Sequence, residues 1–199
     1  MGVINGSMGK GMIQSLDESE IVIGLSQLEP SVALDDIHFI IGLPRPQTAR
    51  KILSQLSSLG VASMDFVLTE TSDRSYARSN LWTSGEWGRH LVLGAEQAFT
   101  TSIPEVCWGN ALAESGGFVR GDALKIVLDN YEGVEALGET ALTLPLVIAV
   151  GPERGWSARD RETLIDKGFH MVHLGTRVLR VETACVAAYS IAKSKLGLM

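Results

Sequence analysis

The chain has little cysteine and no long hydrophobic run. Its 199 residues include only two cysteines, Cys107 and Cys185, so the sequence excludes a disulfide framework and a cysteine-based metal site. Apolar runs such as Leu144–Val150 are interrupted by proline and are too short to cross a bilayer. The glycine-rich start lacks the apolar segment of a signal peptide. These absences predict a folded protein of the reducing cytoplasm.

Several common catalytic patterns are absent as well. The sequence contains no P-loop, no G-x-G-x-x-G fingerprint and no G-x-S-x-G elbow. His170 and His173 lie three residues apart on a predicted strand and point to opposite faces, so they are not expected to bind a metal.

The charge is unevenly distributed. A net charge of −6 argues mildly against nucleic-acid binding. Residues Arg154 to Arg180, however, contain six basic and three acidic side chains, a local charge of +3 against −9 elsewhere. Charge alone leaves both a basic binding face and an ordinary mixed surface open.

Strands and helices are predicted to alternate along most of the chain. A β-hairpin opens it, and a lone hairpin must dock on something to be stable. The later strands are apolar without alternation, which predicts a parallel sheet covered on both faces, with ligands at the carboxyl ends of its strands. The predicted strands are Gly11–Leu16, Glu20–Ser26, Ile37–Leu43, Asp65–Thr69, Leu124–Leu128, Leu144–Val150 and Phe169–Leu174, and the predicted helices are Thr48–Leu59, Glu86–Phe99, Ser157–Lys167 and Glu182–Leu196.

Two successive loops carry the candidate chemistry. The first runs from Val150 to Ser157, where glycines allow close approach of the backbone to a ligand. The second runs from Leu174 to Ala184 and contains Arg177, Arg180 and Glu182. Taken separately, each is also compatible with a simple strand-to-helix connection.

Together the two loops resemble the RsmE family of ribosomal RNA methyltransferases, a branch of the SPOUT superfamily. The first resembles its G-P-E-G-G segment and the second its L-G-x-R-[IV]-L-R-x-E-T-A segment. The resemblance extends upstream to Leu43-Pro44-Arg45, Leu59-Gly60-Val61, Ala95-Glu96-Gln97 and Ile103-Pro104-Glu105-Val106. It implies that residues 35–199 form an α/β SPOUT domain whose C-terminal part contains a trefoil knot. Residues 1–30 then correspond to a hairpin remnant of a PUA-like barrel.

The resemblance also implies a reaction and a set of residues. S-adenosyl-L-methionine is the expected cofactor, N3 of a uridine in 16S ribosomal RNA the expected target, and a homodimer the expected assembly. Glu182 is the candidate general base, and Arg177 or Arg180 would steady the uracil oxygens. The residues expected to bind the cofactor are Leu128, Val150, Gly151, Glu153, Gly155, Leu174, Gly175, Val178 and Leu179.

The sequence departs from the family pattern in two places. Most of the barrel has no counterpart, which puts independent RNA docking by the hairpin in doubt. Arg154 replaces the first glycine of the usual pair and could narrow the loop or contact a phosphate. Two alternatives therefore stay open: an RNA-binding or ribosome-assembly factor without catalysis, and a methyltransferase acting on another RNA position, such as a ribose hydroxyl.

Overall fold

A parallel β-sheet forms the body of the protein. The computed structural model describes residues 2–115 and 121–199, and within these ranges seven strands form one sheet. The strands are β3 (Asp35–Gly42), β4 (Val61–Leu68), β5 (Glu105–Ala111), β6 (Leu124–Leu128), β7 (Glu135–Ala136), β8 (Leu146–Val150) and β9 (His170–His173). They are arranged in the order β5-β4-β3-β8-β6-β9-β7, and every pairing is parallel.

Helices cover both faces of the sheet, as the uninterrupted apolar strands predict. One face packs against α1, α3 and α5 through a large cluster of buried side chains. The other face packs against α4 through a smaller cluster that includes Val147, Trp156 and Leu164. The helices are α1 (Pro46–Leu59), α2 (Asn80–Thr83), α3 (Glu86–Gln97), α4 (Ala158–Asp166) and α5 (Val181–Lys195).

The four predicted helices are present, and each of their ends lies within two residues of its predicted position. Helix α1 ends at Gly60, which adopts the left-handed conformation with a φ of 92° that suits glycine. Helix α4 opens with a capping box, in which the Ser157 hydroxyl accepts a hydrogen bond from the Asp160 amide and the Asp160 carboxylate accepts one from the Ser157 amide.

Several regions differ from the sequence prediction. Strand β4 begins at Val61, four residues before the predicted start, and the two-residue strand β7 was not predicted. Strand β5 was not predicted, because Glu105–Ala111 mixes polar and aromatic residues at the edge of the sheet, where burial is only partial. The polar segment Thr71–Trp82 falls between the predicted elements, but in the structure it contains a 3₁₀ turn at Arg74–Arg78 and the short helix α2. Trp82 anchors this segment by stacking on Trp108 at 5.3 Å between ring centroids.

The N-terminal hairpin pairs β1 (Met8–Leu16) with β2 (Ile21–Glu29) in antiparallel register. Its apolar side chains are exposed, for example Ile13 at 61% and Leu25 at 56%. The segment that precedes the hairpin in the chain is hydrogen-bonded to the loop before β5. The Asn5 amide donates to the Thr101 carbonyl at 2.7 Å, and the Ile103 amide donates to Asn5 Oδ1 at 3.0 Å.

Candidate ligand-binding site

A cavity of about 660 Å³ opens at the carboxyl ends of β6 and β8. Its volume lies in the range of small-molecule sites, roughly 300–1,000 Å³. The loops that follow Leu128, Val150 and Leu174 all contribute to its wall. Loops distant in sequence thus meet at the sheet edge where a parallel fold is expected to bind ligands.

Most of the predicted site residues line this one cavity. Gly175 and Arg177 are not among its lining residues, although their neighbours in the same loop are. Val178 and Leu179 present apolar side chains that are 77% and 37% exposed, so they are available to a ligand. The predicted residues that line the cavity are Leu128, Val150, Gly151, Glu153, Gly155, Leu174, Val178, Leu179, Arg180 and Glu182.

Two glycines shape the loops. Gly175 has a φ of 100°, a conformation that L-residues with side chains rarely adopt. Gly151 lies so close to the end of its own loop that a Cβ there would be 3.2 Å from the Cα of Gly155. A side chain at either position would therefore change the path of the loop that forms the cavity wall.

Glu153, in the loop after β8, caps helix α1. Its Oε1 accepts a hydrogen bond from the Arg45 amide at 3.0 Å and another from the Thr48 hydroxyl at 3.1 Å. No side chain within α1 provides a cap, and Pro46 occupies its first turn. The carboxylate therefore satisfies free donors at the positive end of the helix. Sequence reasoning did not foresee this role, because the contact joins residues 108 positions apart.

Glu182 is paired with a residue that sequence reasoning missed. Lys51 Nζ on α1 donates to Glu182 Oε1 at 3.1 Å, and the Glu182 side chain is only 12% exposed. Burial alone would raise the pKa of Glu182. Hydrogen bonds from its own backbone amide and from Lys51, together with the charges of Lys51 and Arg180, lower that pKa below its usual value. The carboxylate is therefore anionic at neutral pH.

Trp156, in the loop after β8, is buried and has a structural contact. Its Nε1 donates a hydrogen bond to the Leu128 carbonyl at 3.1 Å. The indole thus joins the loop after β8 to the end of β6.

Positive charge prevails around the cavity. Its lining includes five cationic and three anionic side chains. This imbalance favours an anionic ligand or substrate despite the net charge of −6. The cations are Arg45, Lys51, Arg154, Arg161 and Arg180, and the anions are Asp129, Glu153 and Glu182.

The described residues contain neither a metal-binding cluster nor a membrane-spanning helix. Across residues 2–115 and 121–199, no cluster of three or more histidine, cysteine, aspartate or glutamate side chains is placed to hold a metal ion. In the same part of the chain, no helix is long and apolar enough to cross a membrane.

Comparison with known proteins gives the class of protein. The family model described as RNA methyltransferase domain matches residues 31–193, which include the whole sheet and every loop of the cavity. The ribosomal RNA small subunit methyltransferase E of Treponema pallidum is 36% identical over 197 residues, covering 96% of this chain and 74% of that protein. A Borreliella burgdorferi protein, ribosomal RNA small subunit methyltransferase E 1, is 31% identical over 82% of this chain and 69% of its own length. The chain therefore belongs to the ribosomal RNA small subunit methyltransferase E family, and the resemblance read from its two loops is confirmed.

Solved structures share the fold. A ribosomal RNA small subunit methyltransferase E from Neisseria gonorrhoeae, bound to S-adenosyl methionine, superposes with a TM-score of 0.81 at 21% identity, covering 96% of this chain and 80% of that one. A methyltransferase from Legionella pneumophila, also in complex with S-adenosyl methionine, gives a TM-score of 0.77 at 20% identity, covering 96% and 84%. At these identities the likeness shows the fold alone.

Proposed function

We propose that this protein methylates N3 of a uridine in the 16S RNA of the small ribosomal subunit, with S-adenosylmethionine as methyl donor. The observation that carries the proposal is the meeting of the two family loops around one cavity with an excess of cations. Family membership supports the same reaction, because the Treponema pallidum and Borreliella burgdorferi relatives are ribosomal RNA small subunit methyltransferases.

The cavity suits S-adenosylmethionine in size and in chemistry. Leu128, Val178 and Leu179 offer an apolar surface for an adenine ring. The backbone of Gly151 and Gly155 lines the same space and supplies polar groups without the bulk of side chains. When bound, the cofactor supplies a methyl group on a sulfonium. The task of the protein is to bind, to orient and to exclude water.

Glu182, Arg177 and Arg180 have proposed roles in proton and charge transfer. Uridine N3 carries a proton that must leave as the new N–C bond forms, and the anionic carboxylate of Glu182 accepts it. Arg180 lines the cavity and stabilises negative charge on the uracil oxygens, with Arg177 in the same loop as a second candidate. Lys51 keeps Glu182 deprotonated before the reaction.

The proposal extends to the oligomeric state and the chain topology that the family implies. The protein forms a homodimer, and the half-buried face of α5 with Ala187 and Ile191 offers a close-packing surface for the partner.

The C-terminal region forms a trefoil knot. Support comes from the topology, since β8 inserts between β3 and β6, and α5 then returns to pack on α1 and β8. Residues 1–30 form a separate N-terminal unit that corresponds to the hairpin of the family's barrel.

Transfer of labelled methyl groups tests this function. Small ribosomal subunits from a strain lacking the gene are incubated with the purified protein and S-adenosylmethionine carrying a labelled methyl group. The proposal predicts label in the small-subunit RNA, recovered as N3-methyluridine on nuclease digestion and mass spectrometry. Label on a ribose hydroxyl would support a methyltransferase of different specificity. A protein that binds the subunit without transferring label would support the non-catalytic alternative.

A further inference from the structure

A buried ion pair joins two walls of the cavity. Asp129 directly follows β6, and its side chain is 2% exposed. Its Oδ2 accepts a hydrogen bond from Arg161 Nε on α4 at 2.6 Å. Its Oδ1 accepts the amides of Tyr131 and Glu132 at 2.8 and 3.1 Å, which folds the start of this loop into a tight turn.

Two further hydrogen bonds connect the same loops. Trp156 Nε1 donates to the Leu128 carbonyl at 3.1 Å, and Asn130 Nδ2 donates to the Arg177 carbonyl at 3.0 Å. The segment 128–130 therefore contacts both the loop after β8 and the loop after β9. We call these six residues and the three contacts between them the loop clasp: Leu128–Trp156, Asp129–Arg161 and Asn130–Arg177.

We propose that the Asp129–Arg161 pair is a positioning element that sets the shape of the methyl-donor cavity before the cofactor binds. The inference rests on the proposed function. Both residues belong to the cavity wall, and the pair is the one charged contact in the loop clasp. A carboxylate buried beside a single guanidinium is strongly held, because loss of either partner leaves a charge without compensation.

The geometry explains why the pair should act on binding and not only on stability. Asp129 directly follows the carboxyl end of β6, next to Leu128, which offers an apolar surface to the ligand. If Arg161 no longer holds it, the carboxylate must turn towards solvent, and the turn that it organises moves with it. The ligand would then have to reorder the loop on binding, which lowers affinity.

Paired substitutions test the proposal. Asp129→Asn keeps an Oδ1 acceptor for the two amides but removes the charge, and Arg161→Met keeps the length of the side chain but removes the guanidinium. Arg159→Met is the matched control, because Arg159 is exposed on the same helix and does not line the cavity. Each variant is titrated with S-adenosylhomocysteine in a calorimeter, and its melting temperature is measured without ligand.

We expect each single variant to bind S-adenosylhomocysteine on the order of tenfold more weakly, the size of one close pairwise interaction. The double variant should be no more than about twofold weaker than either single variant, because both remove the same interaction. In turnover assays the KM for S-adenosylmethionine should rise while the KM for RNA stays unchanged. The control should match wild type in every measurement.

Three results would overturn the proposal in distinguishable ways. If the single variants melt earlier but bind as tightly as wild type, the pair only stabilises the fold. If the losses of the two single variants multiply in the double variant, the residues act independently. If wild type itself binds no S-adenosylhomocysteine, the proposed function fails and the inference fails with it.

Discussion

Substitution of Glu153 tests whether this residue caps helix α1 or binds the cofactor, because the two roles predict different effects on stability. The family resemblance predicts a residue that binds the cofactor, whereas in the structure its carboxylate accepts hydrogen bonds from the Arg45 amide and the Thr48 hydroxyl at the start of α1. Glu153→Ala removes both acceptor contacts. Losing a helix N-cap costs about 0.5–2 kcal/mol, and losing the charge near the helix dipole costs about 0.3–1 kcal/mol at an exposed site. Because Glu153 is exposed, we expect the combined loss of unfolding free energy to lie in the lower half of the two ranges taken together, about 1.5 kcal/mol.

Glu153→Gln separates the two contributions. Glutamine retains an oxygen that can accept both hydrogen bonds and loses only the charge, so it should cost about 0.5 kcal/mol. For a domain of this size, 1 kcal/mol corresponds to roughly 2–4 °C in melting temperature. The alanine variant should therefore melt about 3–6 °C below wild type and the glutamine variant about 1–2 °C below it. Urea unfolding at neutral pH gives the free energies directly.

The same two variants also distinguish capping from ligand binding. If Glu153 acts as a cap, both variants should bind S-adenosylhomocysteine with affinities that follow their stabilities, alanine weaker than glutamine. Unchanged stability in Glu153→Ala together with lost binding would refute the capping role and assign Glu153 to the cofactor.

Four further predictions concern other parts of the molecule. Tyr189→Phe should lower the free energy of unfolding by about 2 kcal/mol in urea melts, because the single proton of the hydroxyl is shared between the Leu59 carbonyl at 2.6 Å and the Asp35 carboxylate in a partly buried network; no change would contradict this. The pKa of Glu86 is lowered from 4.5 to about 2, first by the hydrogen bond from Arg50 and then by that from His90. Its stabilising effect should therefore be complete above pH 4.5 and fade towards pH 2, so wild type and Glu86→Gln should converge in stability on acidification; a constant difference would argue against the pair. Gly151→Val should weaken S-adenosylhomocysteine binding in calorimetry, because its side chain would press on Gly155, and wild-type affinity would show that the loop is wrongly assigned. Arg180→Glu should reduce turnover more than cofactor binding, whereas equal losses would point to a structural role.

The fold could be predicted largely from local patterns. Helix α1 is visible in the spacing of Ile52, Leu53 and Leu56, which all pack against the sheet. Helix α4 is visible in its capping box. Strand β5 could not be predicted in the same way, because an edge strand is only partly buried and need not show a continuous apolar run.

The candidate site was predictable only in part. Its location follows from the rule that parallel strands gather their carboxyl ends at one edge of the sheet. The partners of its charged residues do not follow from any local pattern. Lys51 and Glu182 are 131 positions apart, and Asp129 and Arg161 are 32 positions apart. Asp129 carried one usable signal, since it directly follows a buried strand whose end was already expected to touch the ligand.

The central claim is that the loops beginning at Gly151 and Gly175 enclose one methyl-donor site. A calorimetric titration of the wild-type protein with S-adenosylhomocysteine tests it most directly. We expect saturable heat that fits a single class of site, and loss of that heat when the cavity wall is altered by Gly151→Val. Absence of heat from the folded wild-type protein at saturating concentrations, or undiminished heat from the variant, would contradict it.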